Sequence, residues 1–146
     1  MQDKHLYEYA VIRVVPRVER EEFLNVGVVL YCARPRFLGV RFALNEQRLG
    51  AFAPGRSDAE PDGTDAERRE VAASTDLLQL VGYLLAFERI CKGDPSGGPI
   101  AALTPAERFR WLTATRSTVL QTSRVHPGFC TSPEETLGRL FGELVL

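Results

Sequence analysis

The sequence predicts a mixed α+β domain, with helices covering a small, mainly antiparallel sheet of four strands. Three observations carry that expectation. The runs Ala10–Val15 and Val26–Leu30 are rich in Val and Ile and too short for helices, so both read as buried strands. Phe37–Leu44 alternates, with Leu38, Val40, Phe42 and Leu44 on one face and Gly39, Arg41 and Ala43 on the other. Further on, three stretches share one helix-start signature: Thr64-Asp65-Ala66-Glu67, Thr104-Pro105-Ala106-Glu107 and Ser132-Pro133-Glu134-Glu135. Each fits a capping box, in which a hydroxyl serves the N3 amide and a glutamate reaches back. The expected order is βββ-α-α-α-β-α, one domain over residues 1–146.

The first strand spans Leu6–Val15, with both faces largely apolar, as suits an interior strand covered on two sides. Pro16 ends it by removing a backbone donor. Val26–Ala33 and Phe37–Leu44 pair as a hairpin across Arg34-Pro35-Arg36. Gly27 and Gly39 within strands point to a bulge, or to a close approach by another backbone or a ligand. Asn45 can cap a short helix, Glu46–Phe52. Residues 53–63, with two prolines, two glycines and no large apolar side chain, are expected to form a mobile loop.

The helix from Thr64 should run to about Cys91, with Ser74-Thr75 a point where it could break. Its second half, LLQLVGYLLAFERI, is apolar almost all round, which predicts a central helix. The turn-dense Gly93–Pro99 stops it. The next helix, Pro105–Ala114, gathers Phe109, Trp111 and Leu112 near one side. Ser117–Gln121 reads as the fourth strand, and the last helix, from Pro133, buries Leu137, Leu140, Phe141 and Leu144.

Composition excludes more than it assigns. The 146 residues suffice for one real core, and 45% hydrophobic with 25% charged residues is ordinary for a globular chain. A net charge of −1 gives no global pull toward nucleic acid, and basic residues are not interleaved with aromatics along any face. Sixteen of the eighteen basic residues are arginine. Guanidinium chemistry would favour anions, but a coding preference for arginine explains the excess more simply. Cys32, Cys91 and Cys130 are far apart with no CxxC pair, and His5 and His126 are the only histidines. A structural zinc site is therefore not expected, and Cys32 reads as a small core residue. Neither an apolar signal core nor a membrane-length apolar run is visible, so a cytoplasmic setting is the default expectation.

Candidate chemistry centres on arginine. Arg13 lies inside an apolar strand, where a guanidinium needs a partner or an anion. Arg116-Ser117 sits where a helix gives way to a strand, and His126 follows in a loop, VHPGF. Together these would suit a phosphate or carboxylate. Arg41 could join Arg13 on one strand face, forming a basic floor beside Gly27 and Gly39. The structural alternative pairs Arg116 with a carboxylate such as Glu22, lets His126 satisfy a turn, and lays the arginine stems over apolar surface. Glu19, Glu21 and Glu22 could converge on Mg²⁺, but the interleaved Arg17 and Arg20 favour a self-neutralising surface segment. Ser117 and His126 lack a nucleophile elbow and an orienting acid. There is no phosphate-binding loop and no dinucleotide fingerprint, so no cofactor is expected. Exposed sheet edges would suit a homodimer, although no interface is legible in the sequence.

Two blocks of sequence carry a resemblance. One is Tyr9-Ala10-Val11-Ile12-Arg13-Val14-Val15-Pro16 through Glu21 to Asn25-Val26-Gly27-Val28. The other is Glu107-Arg108-Phe109-Arg110-Trp111-Leu112 through Arg116-Ser117 to Gln121 and His126. Together they resemble the bacterial domain-of-unknown-function 3037 family over nearly the whole chain. The resemblance implies a small bacterial cytoplasmic protein with no assigned activity. Members are often encoded beside a HipA-like kinase, which implies a partner or regulator. The expectation is a non-enzymatic accessory protein. The alternative is an anion-binding or phosphoryl-processing enzyme using the arginine, serine and histidine pocket.

Overall fold

A computed structural model describes residues 4–15, 23–44, 63–114 and 119–146. The Glu19–Glu22 cluster, the expected helix Glu46–Phe52, nearly all of the expected loop, and Arg116 and Ser117 lie outside the described residues.

Five strands form one antiparallel sheet: β1 (His5–Val14), β2 (Leu24–Cys32), β3 (Phe37–Phe42), β4 (Leu120–Thr122) and β5 (His126–Cys130). β1 is the central strand. One edge pairs with β2, which pairs in turn with β3. The other edge is shared end to end, with β4 beside Ile12–Val14 and β5 beside His5–Tyr9. The described end of the expected fourth strand, Leu120 and Gln121, lies in β4, and a fifth strand follows it. His126 stands in β5 rather than in a loop. Pro127 and Gly128 disguised this strand, yet both are tolerated for physical reasons. Proline can occupy an edge strand, and the Tyr7 ring crosses the space a Cβ on Gly128 would fill.

Ser123 joins β4 to β5. Its amide donates to the Val11 carbonyl at 2.8 Å, while its buried hydroxyl accepts from the Val11 amide at 2.9 Å and donates to the Arg124 carbonyl at 2.9 Å. A side chain thus stands in for the missing ladder carbonyl, as a buried backbone donor requires.

Gly27 and Gly39 are explained by the chain itself. The β1–β2 register shifts between Ile12 and Arg13, beside the Ile12–Gly27 pair, and a Cβ at Gly27 would lie 2.7 Å from the Arg41 carbonyl oxygen. A Cβ at Gly39 would lie 2.6 Å from the Phe37 ring. The hairpin turn closes with the Arg36 amide donating to the Ala33 carbonyl at 3.1 Å, and Arg36 has φ 54°. That left-handed conformation costs a residue with a Cβ about 1–2 kcal/mol. Arg36→Gly is expected to raise stability by about 0.5–1 kcal/mol in urea denaturation, after subtracting glycine's extra unfolded-state entropy.

Among the described residues, three α-helices complete the fold: α1 (Gly63–Lys92), α2 (Pro105–Leu112) and α3 (Pro133–Leu144). Two of the expected caps are formed. Thr104 and Ser132 accept from the amides of Glu107 and Glu135, and proline opens each helix. α1 begins one residue before Thr64 and runs unbroken through Ser74-Thr75. One face of the sheet, with Ala10, Ile12, Val14 and Val29, packs against Leu80, Leu84, Phe87, Ile90 and Cys91 of α1 and Phe109 and Leu112 of α2. Tyr7, Val28, Leu30 and Cys32 face the opposite way, against Leu137, Leu140 and Phe141 of α3.

α1 is not the central helix its composition predicted. Leu78, Tyr83 and Leu85 are exposed, because only one side of the helix has a sheet to meet. Trp111 also departs from the expected buried side and is partly exposed. Between α1 and α2, Asp94 accepts from the amide and hydroxyl of Ser96 at 2.9 and 2.8 Å, and these bonds hold its carboxyl below the usual carboxylate range. Arg108 donates to the carbonyls of Ile90 and Cys91 at 3.1 and 2.9 Å, satisfying acceptors at the end of α1.

Candidate functional site

Side chains alternate across a strand, so the register fixes which predicted site residues share a face. Arg13 lies opposite Asn25 and Gln121, Arg41 opposite Val28, and His126 opposite Tyr9. Val28 itself pairs with Val11, which puts Arg13, Arg41 and His126 all on the α3 side of the sheet. The shared face proposed for Arg13 and Arg41 is therefore present.

They are spread across that face. Arg13 and Arg41 stand on strands separated by β2, about 10 Å between backbones at ordinary strand spacing. His126 is level with Tyr9, four residues along β1 from Arg13, a run of about 14 Å. Each also has its own local contact. The Arg13 guanidinium lies 4.1 Å from the centre of the Phe23 ring, and that of Arg41 lies 5.3 Å from the Phe141 ring. The His126 imidazole is 5.3 Å from the Tyr9 ring, which is in turn 6.1 Å from Tyr7. Cation–π contacts let a guanidinium sit over apolar surface without a counter-ion.

Arg13 keeps one signature of a binding group: its buried Nε has no hydrogen-bond partner among the described residues. Nearby, Asn25 donates to the Leu144 carbonyl at 3.1 Å, and its own Oδ1 is likewise unpaired among the described residues. A donor and an acceptor left over side by side on adjacent strands could hold a small polar group. The described recess elsewhere, about 20 Å³ and lined by Phe87, Leu112, Ala114, Leu120, Gln121 and Thr122, has room for one water and none of these arginines.

The thiols do not add chemistry. Cys32, Cys91 and Cys130 are free and buried. Burial, together with the neighbouring Cys130 thiol, pushes Cys32 up to about 11, and burial pushes Cys91 up to about 12. Such thiols stay protonated and unreactive near neutrality. Among the described residues, no group of three or more His, Cys, Asp or Glu side chains could hold a metal ion.

A second feature was invisible in the sequence. Leu6 and Phe129 are direct cross-strand partners, and they are 53% and 70% exposed. They lie on the α2 side of the sheet, where α2 ends its cover at the Arg110–Glu8 ion pair, 2.8 Å long. Leu6 looked like the start of a buried strand, and Phe129 lay in a segment read as loop, so no periodicity linked them.

The family described as "Protein of unknown function (DUF3037)" matches residues 9–145, from the central strand to the end of the last helix. The chain belongs to that family. No curated protein and no solved structure matches it. This DUF3037 chain contains, among its described residues, no helix long and apolar enough to cross a membrane.

Proposed function

We propose that this DUF3037 protein is a non-enzymatic accessory protein of the bacterial cytoplasm that works by binding another protein, with a HipA-like kinase as its first candidate partner. The observation that carries the reading is the exposed Leu6–Phe129 pair. Two large apolar side chains are held together on a rigid sheet, beside an ion pair and at a sheet edge. Clustered exposed apolar groups with a polar rim are what protein interfaces use. The kinase is suggested by the family setting alone.

The test uses the purified protein and a HipA-like kinase encoded beside it. Titration calorimetry should give a saturable complex for the wild type. Leu6→Glu/Phe129→Glu should weaken binding about tenfold or more while leaving the fold intact by circular dichroism. Absence of binding, or equal binding by the double variant, rejects the partner or the surface respectively.

The unpaired Nε of Arg13 favours a second reading, in which that part of the α3 face receives an anion. Inorganic phosphate at millimolar concentration should then raise the wild-type melting temperature more than that of Arg13→Met. Equal shifts would dispose of the anion site.

A further inference from the structure

The exposed Leu6–Phe129 pair has charged neighbours in a telling order. Side chains alternate along β1, so Lys4, just before the strand, falls in line with Leu6 and Glu8 on the α2 side of the sheet. Base, apolar residue and acid are thus evenly spaced, about 7 Å apart at ordinary strand rise. Lys4 is exposed and forms no ion pair among the described residues, whereas Glu8 pairs with Arg110 of α2.

Turned end for end, this row complements itself. An antiparallel copy centred on Leu6 sets Lys4 opposite Glu8, Glu8 opposite Lys4, and Leu6 opposite itself. Phe129, level with Leu6 on β5, then meets its own counterpart as well. Each Glu8 carboxylate comes to lie between Arg110 of its own chain and Lys4 of the other copy, and its two oxygens can serve both.

The fold leaves space for such a copy. β1 begins at His5 and β5 ends at Cys130, so the sheet stops close to the Leu6–Phe129 row. α2 stands on the Glu8 side of that row. In a reversed copy it stands on the opposite side, so each α2 lies beyond the end of the facing sheet and the two helices do not meet. A net charge of −1 per chain opposes self-association only slightly.

We propose that the Leu6–Phe129 patch is a homodimer interface, in which two copies face each other across a two-fold axis through Leu6. A two-fold interface must be self-complementary, with each residue contacting the partner position that contacts it back. The row Lys4–Leu6–Glu8 meets that condition in charge as well as in apolarity, which is what commits the patch to a second copy. The inference rests on the reading of this patch as a protein-docking surface, and makes the second copy the occupant that a kinase displaces. So small a patch gives a weak, reversible dimer.

The full chain tests it by sedimentation equilibrium. The wild type should show a reversible monomer–dimer equilibrium. Leu6→Glu, which places two like charges on the axis, should weaken the dimer about tenfold or more with an unchanged circular dichroism spectrum. Lys4→Glu, which turns both ion pairs repulsive, should weaken it about threefold or more. The register is read by crosslinking. Cys32, Cys91 and Cys130 are buried, so a short bismaleimide should join two Leu6→Cys chains and leave Leu78→Cys, exposed on α1, as single chains. A wild type monomeric at about 100 µM, a concentration at which a weak specific interface is still populated, overturns the proposal, as does a dimer indifferent to Leu6→Glu. A Leu6→Cys chain that crosslinks no better than Leu78→Cys overturns the two-fold register. Kinase binding that is lost in Leu6→Glu/Phe129→Glu, from a wild type that is monomeric alone, keeps the docking reading and overturns only the second copy.

Discussion

Phe109→Ala should lower stability by about 3–5 kcal/mol. Phe109 is fully buried, its ring stacks on Tyr31 at 5.5 Å, and it belongs to the cluster joining β1, β2, α1 and α2. α2 has only eight residues, too few for a helix to persist on its own strength. Its place is held by Phe109 and Leu112, by the Thr104 cap, and by Arg108 bonded to the end of α1. Removing the ring leaves a void where two helices meet the sheet, and the short helix has little else with which to close it. Urea denaturation followed by circular dichroism measures the loss. Leu103→Ala, at a partly exposed position just before the cap, should stay within about 0.5 kcal/mol. Comparable losses at the two positions would show that α2 contributes no core.

Ser123→Ala should cost about 1–3 kcal/mol, far more than the loss of one hydroxyl from a surface. The hydroxyl is the acceptor for the amide of Val11, in the middle of the central strand. Alanine leaves that buried donor without a partner and removes the bond to the Arg124 carbonyl as well. Threonine keeps the oxygen, so Ser123→Thr should retain most of the stability. Hydrogen exchange gives the local reading: the Val11 amide should lose protection in the alanine variant and keep it in the threonine variant. Undiminished protection with alanine would mean that the hydroxyl is not the partner.

Much of this architecture was legible in the sequence, because its strongest signals are local. The Val-rich runs of β1 and β2, the alternation of β3 and the hydroxyl–glutamate caps of α2 and α3 each depend on residues a few positions apart. Period-two counting set Arg13 and Arg41 each on a face of its own strand, but that the two faces coincide is decided by the register through β2. Misreadings arose where tertiary neighbours decide. β5 contains Pro127 and Gly128, which read as loop until Tyr7 is seen to cover the glycine. The all-round apolar half of α1 read as central because a sequence cannot say how many sides of a helix will be covered. Arg108 gave no sign that it would serve carbonyls of another helix. The spread of Arg13, Arg41 and His126 across the sheet was equally hidden, since strand order, not residue spacing, sets it.

The strand layout has a consequence for biosynthesis. Val11 waits for Ser123, 112 residues later in the chain, before its ladder bonds are made. As the nascent polypeptide leaves the ribosome, β1, β2 and β3 can form a meander early, with one flank of β1 bare until β4 and β5 emerge. Contacts so distant in sequence slow folding, and a naked hydrophobic flank invites pairing with neighbouring chains. β4, β5 and the last helix therefore act as a closing seam, and a chain lacking residues 119–146 should yield aggregates during synthesis rather than a smaller folded core.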